Sequence, residues 1–211
     1  MSNPPPNYTT ILQRIPNIGI YPLHHIFGVL HLQQKPNTLW MEFGVSSGST
    51  INYIANFANG PVYGFDTFTG LPEKWRDGYD QGAFTTHGNL PPVRENVVLI
   101  KGMFQDTLNP FLESQKRKIS FLHIDSDLYS SAKFILNSVR DYLDRNCIVV
   151  FDELVNYPGF DGPNGELRAF YEFLQENDVR YTWIGMNGVP FGMSGYVHEN
   201  VALVIHSVNP K

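Results

Sequence analysis

Apolar residues along the chain fall into short runs that alternate with amphipathic segments. Runs rich in Val, Ile, Leu and Phe predict strands at residues 39–45, 61–66, 96–102, 119–125, 147–153, 180–185 and 201–207. Segments with helical spacing lie at residues 49–59, 128–143 and 165–177, and a shorter one lies around residues 24–33. Near-continuous apolar strands that alternate with helices indicate an α/β sheet covered on both faces.

The first predicted strand is preceded by a leader, residues 1–39, with a proline-rich start and a short helical pattern. The remainder, residues 40–211, contains no internal repeat, low-complexity tract or linker that would divide it. A length of 211 residues suits a single substantial core. We therefore predict a helical leader at 1–39 and one α/β domain at 40–211.

The composition excludes several classes of protein. The formal net charge is -5 and Lys and Arg form no cluster, which argues against nucleic acid or an anionic membrane as a partner. Cys147 is the only cysteine and lies in an apolar run, so we expect a buried core residue and no disulfide framework. The start lacks a signal-peptide pattern, and no apolar run approaches the length of a membrane span. We expect a cytoplasmic protein.

In α/β sheets, ligands bind beyond the carboxyl ends of the parallel strands, so the residues at those ends are the informative ones. The first strand runs into a turn with a G-x-x-x-G spacing, which suits close backbone approach to a ligand but is nearly as common in a structural turn. Glu42 stands two residues before the first glycine and could accept a hydrogen bond from a cationic amino group or a water. Ser49 is a candidate N-cap for the following helix. The candidate ligand contacts here are Glu42, Gly44, Ser47, Gly48 and Ser49.

The second and third strands end in residues that suit a nucleoside. Asp66 ends the second strand, where a carboxylate can accept hydrogen bonds from both hydroxyls of a ribose; the alternative is that it caps the loop. After the third strand, Gly102 permits close approach, and Met103 and Phe104 could cover an adenine face or belong to the core.

Carboxylates also follow the fourth and fifth strands. Asp125 and Asp127 come after one, and Asp152 and Glu153 after the other, so the sheet can bring them into one cleft. Like charges that close are costly unless they are protonated or share a cation, and oxygen ligands suit Mg²⁺, Mn²⁺ or Ca²⁺. Alternatively, Asp127 caps the next helix and Glu153 faces solvent.

His123 lies two residues before Asp125 and points to the same side of its strand. It is either a core residue or a catalytic group with a useful pKa. Two long loops, 70–91 and 156–170, could act as lids or specificity elements. Their candidate substrate contacts are Trp75, Arg76, Tyr79, His87, Tyr157 and Glu166.

Taken together, these motifs resemble a known family. The segments "EFGVSSGST", "VYGFDTFTGLPEKW", "LIKGMFQDTL", "LHIDSDLYSSAKFIL" and "IVVFDELVNYPG" resemble, in order and spacing, the S-adenosylmethionine-dependent O-methyltransferases of the macrocin O-methyltransferase group. The resemblance spans roughly residues 40–175. It implies a Rossmann-like three-layer sandwich, a mostly parallel sheet with an antiparallel last strand.

The resemblance also implies roles for residues. It places the methionine end of the cofactor at Glu42, Gly44 and Gly48, the ribose at Asp66, and the adenine at Gly102, Met103 and Phe104. It implies a Mg²⁺ site formed by Asp125, Asp152 and Glu153, with Asp125 also beside the cofactor and acting as the base. His123 is the second candidate for that base.

Two positions depart from the family pattern. The acidic pair is Asp-Glu here, where sugar-modifying members carry Asp-Asp, and Leu128 stands where related catechol enzymes carry a lysine base. We expect methyl transfer from S-adenosylmethionine to a hydroxyl of a small molecule, with a sugar or glycosylated natural product favoured. The open alternatives are a metal-independent methyltransferase, a nicotinamide oxidoreductase, and a cofactor-binding protein without turnover. Assembly into a homo-oligomer is also open.

Overall fold

The computed structural model describes residues 14–158, 160, 165–188 and 197–210. Its seven strands are β1 (Thr38–Phe43), β2 (Val62–Asp66), β3 (Val97–Lys101), β4 (Lys118–Ile124), β5 (Leu143–Phe151), β6 (Asn177–Gly188) and β7 (Val197–Pro210). Its helices are α1 (Pro22–His24), α2 (Ser49–Ala55), α3 (Phe104–Gln115), α4 (Tyr129–Val139) and α5 (Glu166–Glu176). A π-helical turn (His25–Val29) continues α1, and a 3₁₀ turn (Arg140–Tyr142) continues α4.

The strands form one sheet in the order β3-β2-β1-β4-β5-β7-β6. Strands β1 to β5 pair in parallel, whereas β7 runs antiparallel to both β5 and β6. The predicted Rossmann-like sheet with an antiparallel last strand is thereby confirmed. Strand order reverses between β1 and β4, which is the place where sheets of this type bind ligands.

Helices cover both faces of the sheet, as the alternation of side chains along each strand requires. On one face, α3, α4 and α5 bury residues such as Leu112, Ile135 and Phe170 against Met41 and Phe43. On the other face, α1 and α2 pack against the sheet through a cluster that contains Leu23, Ile26, Phe27, Trp40, Ile51 and Phe121. The three-layer sandwich is confirmed. None of the helices in the described ranges is long and apolar enough to cross a membrane.

One helix, α3, lies where the hydrophobic pattern predicts none. Only two of its residues, Leu108 and Leu112, are buried, and Pro110 lies within it. An internal proline removes a backbone donor and is a strong sequence signal against a helix. Burial of the two leucines against the sheet outweighs that cost here.

Two predicted helix caps are wrong. Helix α2 begins at Ser49 itself, so Gly48 occupies the N-cap position, in a left-handed conformation with φ 82°. Helix α4 has Leu128 as its N-cap and no side-chain cap, so Asp127 does not cap it. Asp127 instead lies in the turn before the N-cap, with a left-handed φ of 59°.

The leader packs against the sheet. Its proline-rich start, residues 1–13, lies outside the described residues, but Asn17 forms a bridge to Met186 of strand β6. The amide of Ile18 donates to the carbonyl of Met186 at 2.9 Å, and Leu23, Ile26 and Phe27 are buried. The division between leader and domain at residue 39 stays a prediction.

Candidate functional site

The ends of β1 and β4 approach each other so closely that only glycine fits between them. Gly44 has φ 91°, and an added Cβ would lie 1.7 Å from the carbonyl oxygen of Asp125. The amide of Asp125 donates to the carbonyl of Phe43 at 2.9 Å, which fixes the approach. Gly44 is therefore needed for the backbone geometry that presents Asp125.

The carboxylate of Asp66 braces the turn after β1. Its Oδ2 accepts hydrogen bonds from the amides of Val45 and Ser46, both at 2.8 Å, and its Oδ1 accepts one from the amide of Phe68 at 2.6 Å. The loop-stabilising role considered above is therefore present in the structure. Each carboxylate oxygen has two lone pairs, so Oδ2 is saturated and Oδ1 retains one acceptor position for a ligand.

A cavity of about 300 Å³ opens at the carboxyl ends of β1, β2, β4 and β5. Several predicted site residues line it, together with residues of the loop after β2. The lining consists of Gly44, Ser46, Asp66, Thr67, Gly70, Leu71, Pro72, Phe84, Met103, Phe104, Gln105, Asp125, Ser126, Asp127, Ser131, Asp152 and Glu153. The predicted residues that do not line it are Glu42, Ser47, Gly48, Ser49, Gly102 and His123.

Three carboxylates converge at one side of this cavity. Asp125, Asp152 and Glu153 each offer an oxygen, and these oxygens lie within 4.8 Å of one another. Burial, followed by the charge of Asp152, raises the pKa of Asp125 well above its usual value. Burial and the charges of Asp125 and Asp152 do the same to the pKa of Glu153. A divalent cation would relieve this repulsion, and three carboxylate oxygens are ligands that suit one.

Glu153 gives a further indication that the cluster fits a cation. Its Oε2 is buried and has no hydrogen-bond partner within the described part of the chain. A buried carboxylate oxygen without a partner is costly. The predicted alternative, that Glu153 faces solvent, is wrong.

Asp152 differs from Asp125 and Glu153 because its pKa is lowered, and hydrogen-bond donors surround its carboxylate. Its Oδ1 accepts a hydrogen bond from the Tyr21 hydroxyl at 2.8 Å and one from the Asn200 amide at 2.5 Å. Burial acts to raise the pKa of Asp152, but His123, followed by hydrogen bonds with Glu153 and Tyr21, outweighs it and lowers that pKa. Burial and the charge of Asp152 raise the pKa of Tyr21, so its phenol stays protonated.

His123 lies behind the cavity, between two carboxylates. Its Nδ1 is 3.2 Å from Glu42 Oε1, and its Nε2 is 3.6 Å from Asp152 Oδ1. Both Glu42 and His123 are fully buried. Burial acts to lower the pKa of His123, and the carboxylates on both sides outweigh it and raise the pKa well above its usual value. Burial raises the pKa of Glu42 despite its contact with His123. The Glu42–His123 contact supports Asp152 from inside the sheet.

Glu166 supports the other side of the cavity. Glu166 is fully buried, so the structure does not expose it for the predicted substrate contact. Its Oε1 accepts hydrogen bonds from the amide and the hydroxyl of Ser126, both at 3.1 Å. Burial raises the pKa of Glu166 to about 8, and burial raises the pKa of Asp127 to about 7. Both carboxyl groups therefore have pKa values close to physiological pH.

The raised pKa of Glu166 predicts a pH-dependent stability. Between its ordinary value of 4.5 and about 8, the carboxyl is neutral in the folded protein and ionised in the unfolded chain. Stability is therefore lost as pH rises through that window. Glu166→Gln mimics the neutral form and lacks this pH-dependent loss. The difference in free energy of unfolding, variant minus wild type, should therefore increase with pH by up to about 1.4 kcal/mol per pH unit. Urea unfolding in EDTA at pH 5, 6.5 and 8 measures this.

Glu172→Gln is the matched control, because Glu172 has the opposite shift. Burial opposes ionisation there, but hydrogen bonds from Lys133, Tyr129 and Arg168 lower the pKa of Glu172 to about 2. Both states are ionised above pH 5, so the difference from the wild type should be independent of pH. A Glu166→Gln difference that is equally flat would contradict the prediction.

The two long loops meet above the cavity. The rings of Trp75 and Tyr157 lie 5.3 Å apart, and the guanidinium of Arg76 lies 4.3 Å from the Trp75 ring and 4.0 Å from the Tyr79 ring. None of these side chains lines the cavity, and neither does the exposed His87. The loop contributes Leu71, Pro72 and Phe84 to the lining instead.

Several residues around the site carry no sequence signal. Tyr21 lies in the leader, far along the chain from the strand ends, and Asn200 lies in the last strand. Ser126 stands between two conspicuous acids and is still the partner of Glu166. An Asp or Gly at a strand end can be found from its position, whereas these contacts depend on how distant segments pack.

Comparison with known proteins agrees with this arrangement. Residues 41–154 match a family model described as a methyltransferase domain, a range that contains the ends of β1 to β5. No curated protein matches the chain significantly. The match favours methyl transfer over the nicotinamide alternative.

Solved structures with the same architecture are also methyltransferases. Calicheamicin methyltransferase CalS11 is 25% identical with a TM-score of 0.56, over 79% of this chain and 72% of that chain. An apo structure of CalS11, described as a TDP-rhamnose 3'-O-methyltransferase of calicheamicin biosynthesis, is 26% identical with a TM-score of 0.50, over 79% and 71%. The O-methyltransferase TomG from Streptomyces achromogenes, in complex with SAM, shares the fold at 16% identity and a TM-score of 0.52, over 88% and 78%.

Proposed function

Because this chain belongs to the methyltransferase-domain family, we propose that it transfers a methyl group from S-adenosylmethionine to a hydroxyl of a small molecule. The observation that carries the proposal is the cavity itself. It joins the strand-end residues suited to an adenosyl group, Asp66, Met103 and Phe104, to the carboxylate cluster of Asp125, Asp152 and Glu153. A methyl donor and an ionisable acceptor can thus occupy one space.

The cofactor is proposed to lie along the ends of β1 to β3. Asp66 accepts a hydrogen bond from the ribose, and Gly102, Met103 and Phe104 contact the adenine. The methionine end lies in the turn after β1. Its proposed contacts are Glu42, Gly44, Ser47, Gly48, Ser49 and Asp125. Glu42 acts there indirectly, since its Oε1 contacts His123.

A divalent cation, Mg²⁺ in our proposal, would be held by Asp125, Asp152 and Glu153 and would supply Lewis-acid polarisation of the acceptor hydroxyl. The protein's own contribution is to hold three carboxylates together despite their repulsion. His123 and Tyr21 help Asp152 to keep its negative charge. Burial and mutual repulsion raise the pKa of Asp125 and of Glu153, and a bound cation would favour their ionised forms.

Methyl transfer requires one proton to leave the acceptor. The acceptor oxygen attacks the methyl carbon, a C–O bond forms as the C–S bond breaks, and the hydroxyl proton passes to a carboxylate oxygen of Asp125. Asp125 lines the cavity, and its raised pKa makes the ionised carboxylate a stronger base than an ordinary aspartate. His123, the second candidate, does not line the cavity, but a ring nitrogen lies within 4.8 Å of a carboxylate oxygen of Asp125 and its Nε2 is 3.6 Å from Asp152 Oδ1. Holding oxygen and methyl in line supplies much of the remaining catalysis.

The acceptor is proposed to be a sugar or a glycosylated natural product. The sequence motifs resemble the macrocin O-methyltransferase group, and CalS11 is described as acting on TDP-rhamnose. The protein is proposed to act in the cytoplasm without nucleic acid or membrane partners. Homo-oligomers are compatible with this proposal.

Chelation separates the metal-dependent proposal from its alternatives. We expect S-adenosylhomocysteine production, measured by mass spectrometry with a panel of glycosides and nucleotide sugars, to fall more than tenfold after EDTA treatment. Added Mg²⁺ or Mn²⁺ should restore it. Turnover that survives thorough chelation would favour the metal-independent methyltransferase. Cofactor binding without methylation of any hydroxyl compound would favour the catalytically silent protein.

A further inference from the structure

In the described part of the leader, the hydroxyl of Tyr21 contacts the carboxylate cluster. We propose that Tyr21 is a positioning residue, whose hydroxyl holds Asp152 in the orientation needed to bind a divalent cation. The proposal rests on the cation site of the proposed function. It makes the leader part of the active site rather than only a covering segment.

The hydrogen bonds to Asp152 carry this inference. The Tyr21 hydroxyl and the Asn200 amide both donate to Oδ1, and the same amide also donates to the backbone carbonyl of Asp152 at 2.8 Å. A carboxylate oxygen has two lone pairs, so these two donors saturate Oδ1. Oδ2 is then the oxygen available to a cation shared with Asp125 and Glu153.

The two donors come from opposite ends of the chain. Tyr21 lies 131 positions before Asp152, and Asn200 lies 48 positions after it. Two separate segments of the chain thus fix the orientation of Asp152. A ligand held by a second hydrogen-bonded group binds metal more tightly, because its orientation is fixed before binding.

Tyr21 is itself fixed from both sides. Before it, the amide of Ile18 donates to the carbonyl of Met186, and the amide of Met186 donates to the carbonyl of Pro16, both at 2.9 Å. Gly185 leaves room for this pairing, since a Cβ there would lie 2.6 Å from Ile18. After it, Pro22 restricts Tyr21 to an extended backbone, and φ −56° and ψ 130° agree with that. Helix α1 then begins at Pro22, and its Leu23 is buried against the sheet.

This arrangement couples two properties that would otherwise be independent. If the leader detached from β6, Asp152 would lose one of its two Oδ1 donors, and cation affinity would fall. Of the cofactor residues, Asp66 ends β2 and Met103 follows β3, whereas Tyr21 donates to Asp152 at the end of β5. The coupling is therefore expected to be selective for the cation.

The test is Tyr21→Phe, which removes only the hydroxyl. The dissociation constant for Mn²⁺, measured by electron paramagnetic resonance, should rise about 10-fold to 100-fold. The dissociation constant for S-adenosylhomocysteine, measured by calorimetry, should change less than twofold. A merely structural role would weaken both or neither.

Tyr53→Phe is the matched control. Tyr53 also contacts the leader, through ring contacts with His24 and Phe27, but makes no hydrogen bond to the carboxylates in the described structure. It should leave both constants unchanged. Mn²⁺ affinity of Tyr21→Phe equal to that of the wild type would overturn the proposal, as would a wild type that binds no Mn²⁺. Failure of the wild type to bind S-adenosylhomocysteine would instead overturn the proposed function. The Mn²⁺ affinities of the wild type and Tyr21→Phe would still test the role of Tyr21.

Discussion

Asp125→Asn is expected to lower kcat by a factor of about 10²–10⁴, the usual contribution of a general base. Asparagine keeps the size of the side chain but cannot take the acceptor's proton and is a poorer cation ligand. Because burial and Asp152 already raise the pKa of Asp125, a neutral side chain should not lower the stability of the metal-free protein. Turnover is measured with the best wild-type acceptor, and stability by thermal unfolding in EDTA.

The matched control is Asp178→Asn, the same substitution on the exposed surface of β6. It should leave kcat unchanged. If Asp125→Asn retained kcat within threefold of the wild type, Asp125 would be neither the base nor a necessary ligand. The role would then pass to another carboxylate of the cavity.

Gly44→Ala is expected to have the largest effect on stability. The left-handed φ of 91° alone costs a non-glycine residue about 1–2 kcal/mol, and the new Cβ would collide with the backbone oxygen of Asp125. Backbone at the centre of the sheet would have to move. We expect a loss of about 3 kcal/mol or more in the free energy of unfolding, equivalent to about 6–12 °C in Tm.

Gly28→Ala gives the control for this prediction. Gly28 has no neighbouring atom within 4 Å of an added Cβ and does not adopt the left-handed conformation. The same substitution there should be neutral, or stabilising by about 0.4–1 kcal/mol through the unfolded state. A Gly44→Ala protein with the same Tm as the wild type would show that β1 and β4 do not approach as closely as described.

The parallel part of the sheet was predictable because its strands contain short apolar runs that end in conspicuous residues. Asp66, Asp125 and Asp152 each stand where an apolar run stops, and strand order then brings them to one edge. The antiparallel last strand followed from the resemblance and is confirmed. For such elements, local pattern and tertiary position agree.

Other features of the fold and the site could not be predicted from short stretches of sequence. Pro110 argues against helix α3, and only tertiary burial of its leucines outweighs that signal. Asp127 looks like a helix cap, but Leu128 occupies the N-cap position. Tyr21 and Asn200 meet Asp152 only after the leader and the last strand have packed. Contacts between distant segments leave no spacing in the sequence.

The proposal depends most directly on whether the cavity binds the methyl donor's product. A calorimetric titration of the wild-type protein with S-adenosylhomocysteine, at neutral pH with Mg²⁺ present, measures this in one experiment. We predict saturable binding of one equivalent per chain. No detectable binding under these conditions would contradict the assignment of this cavity to S-adenosylmethionine.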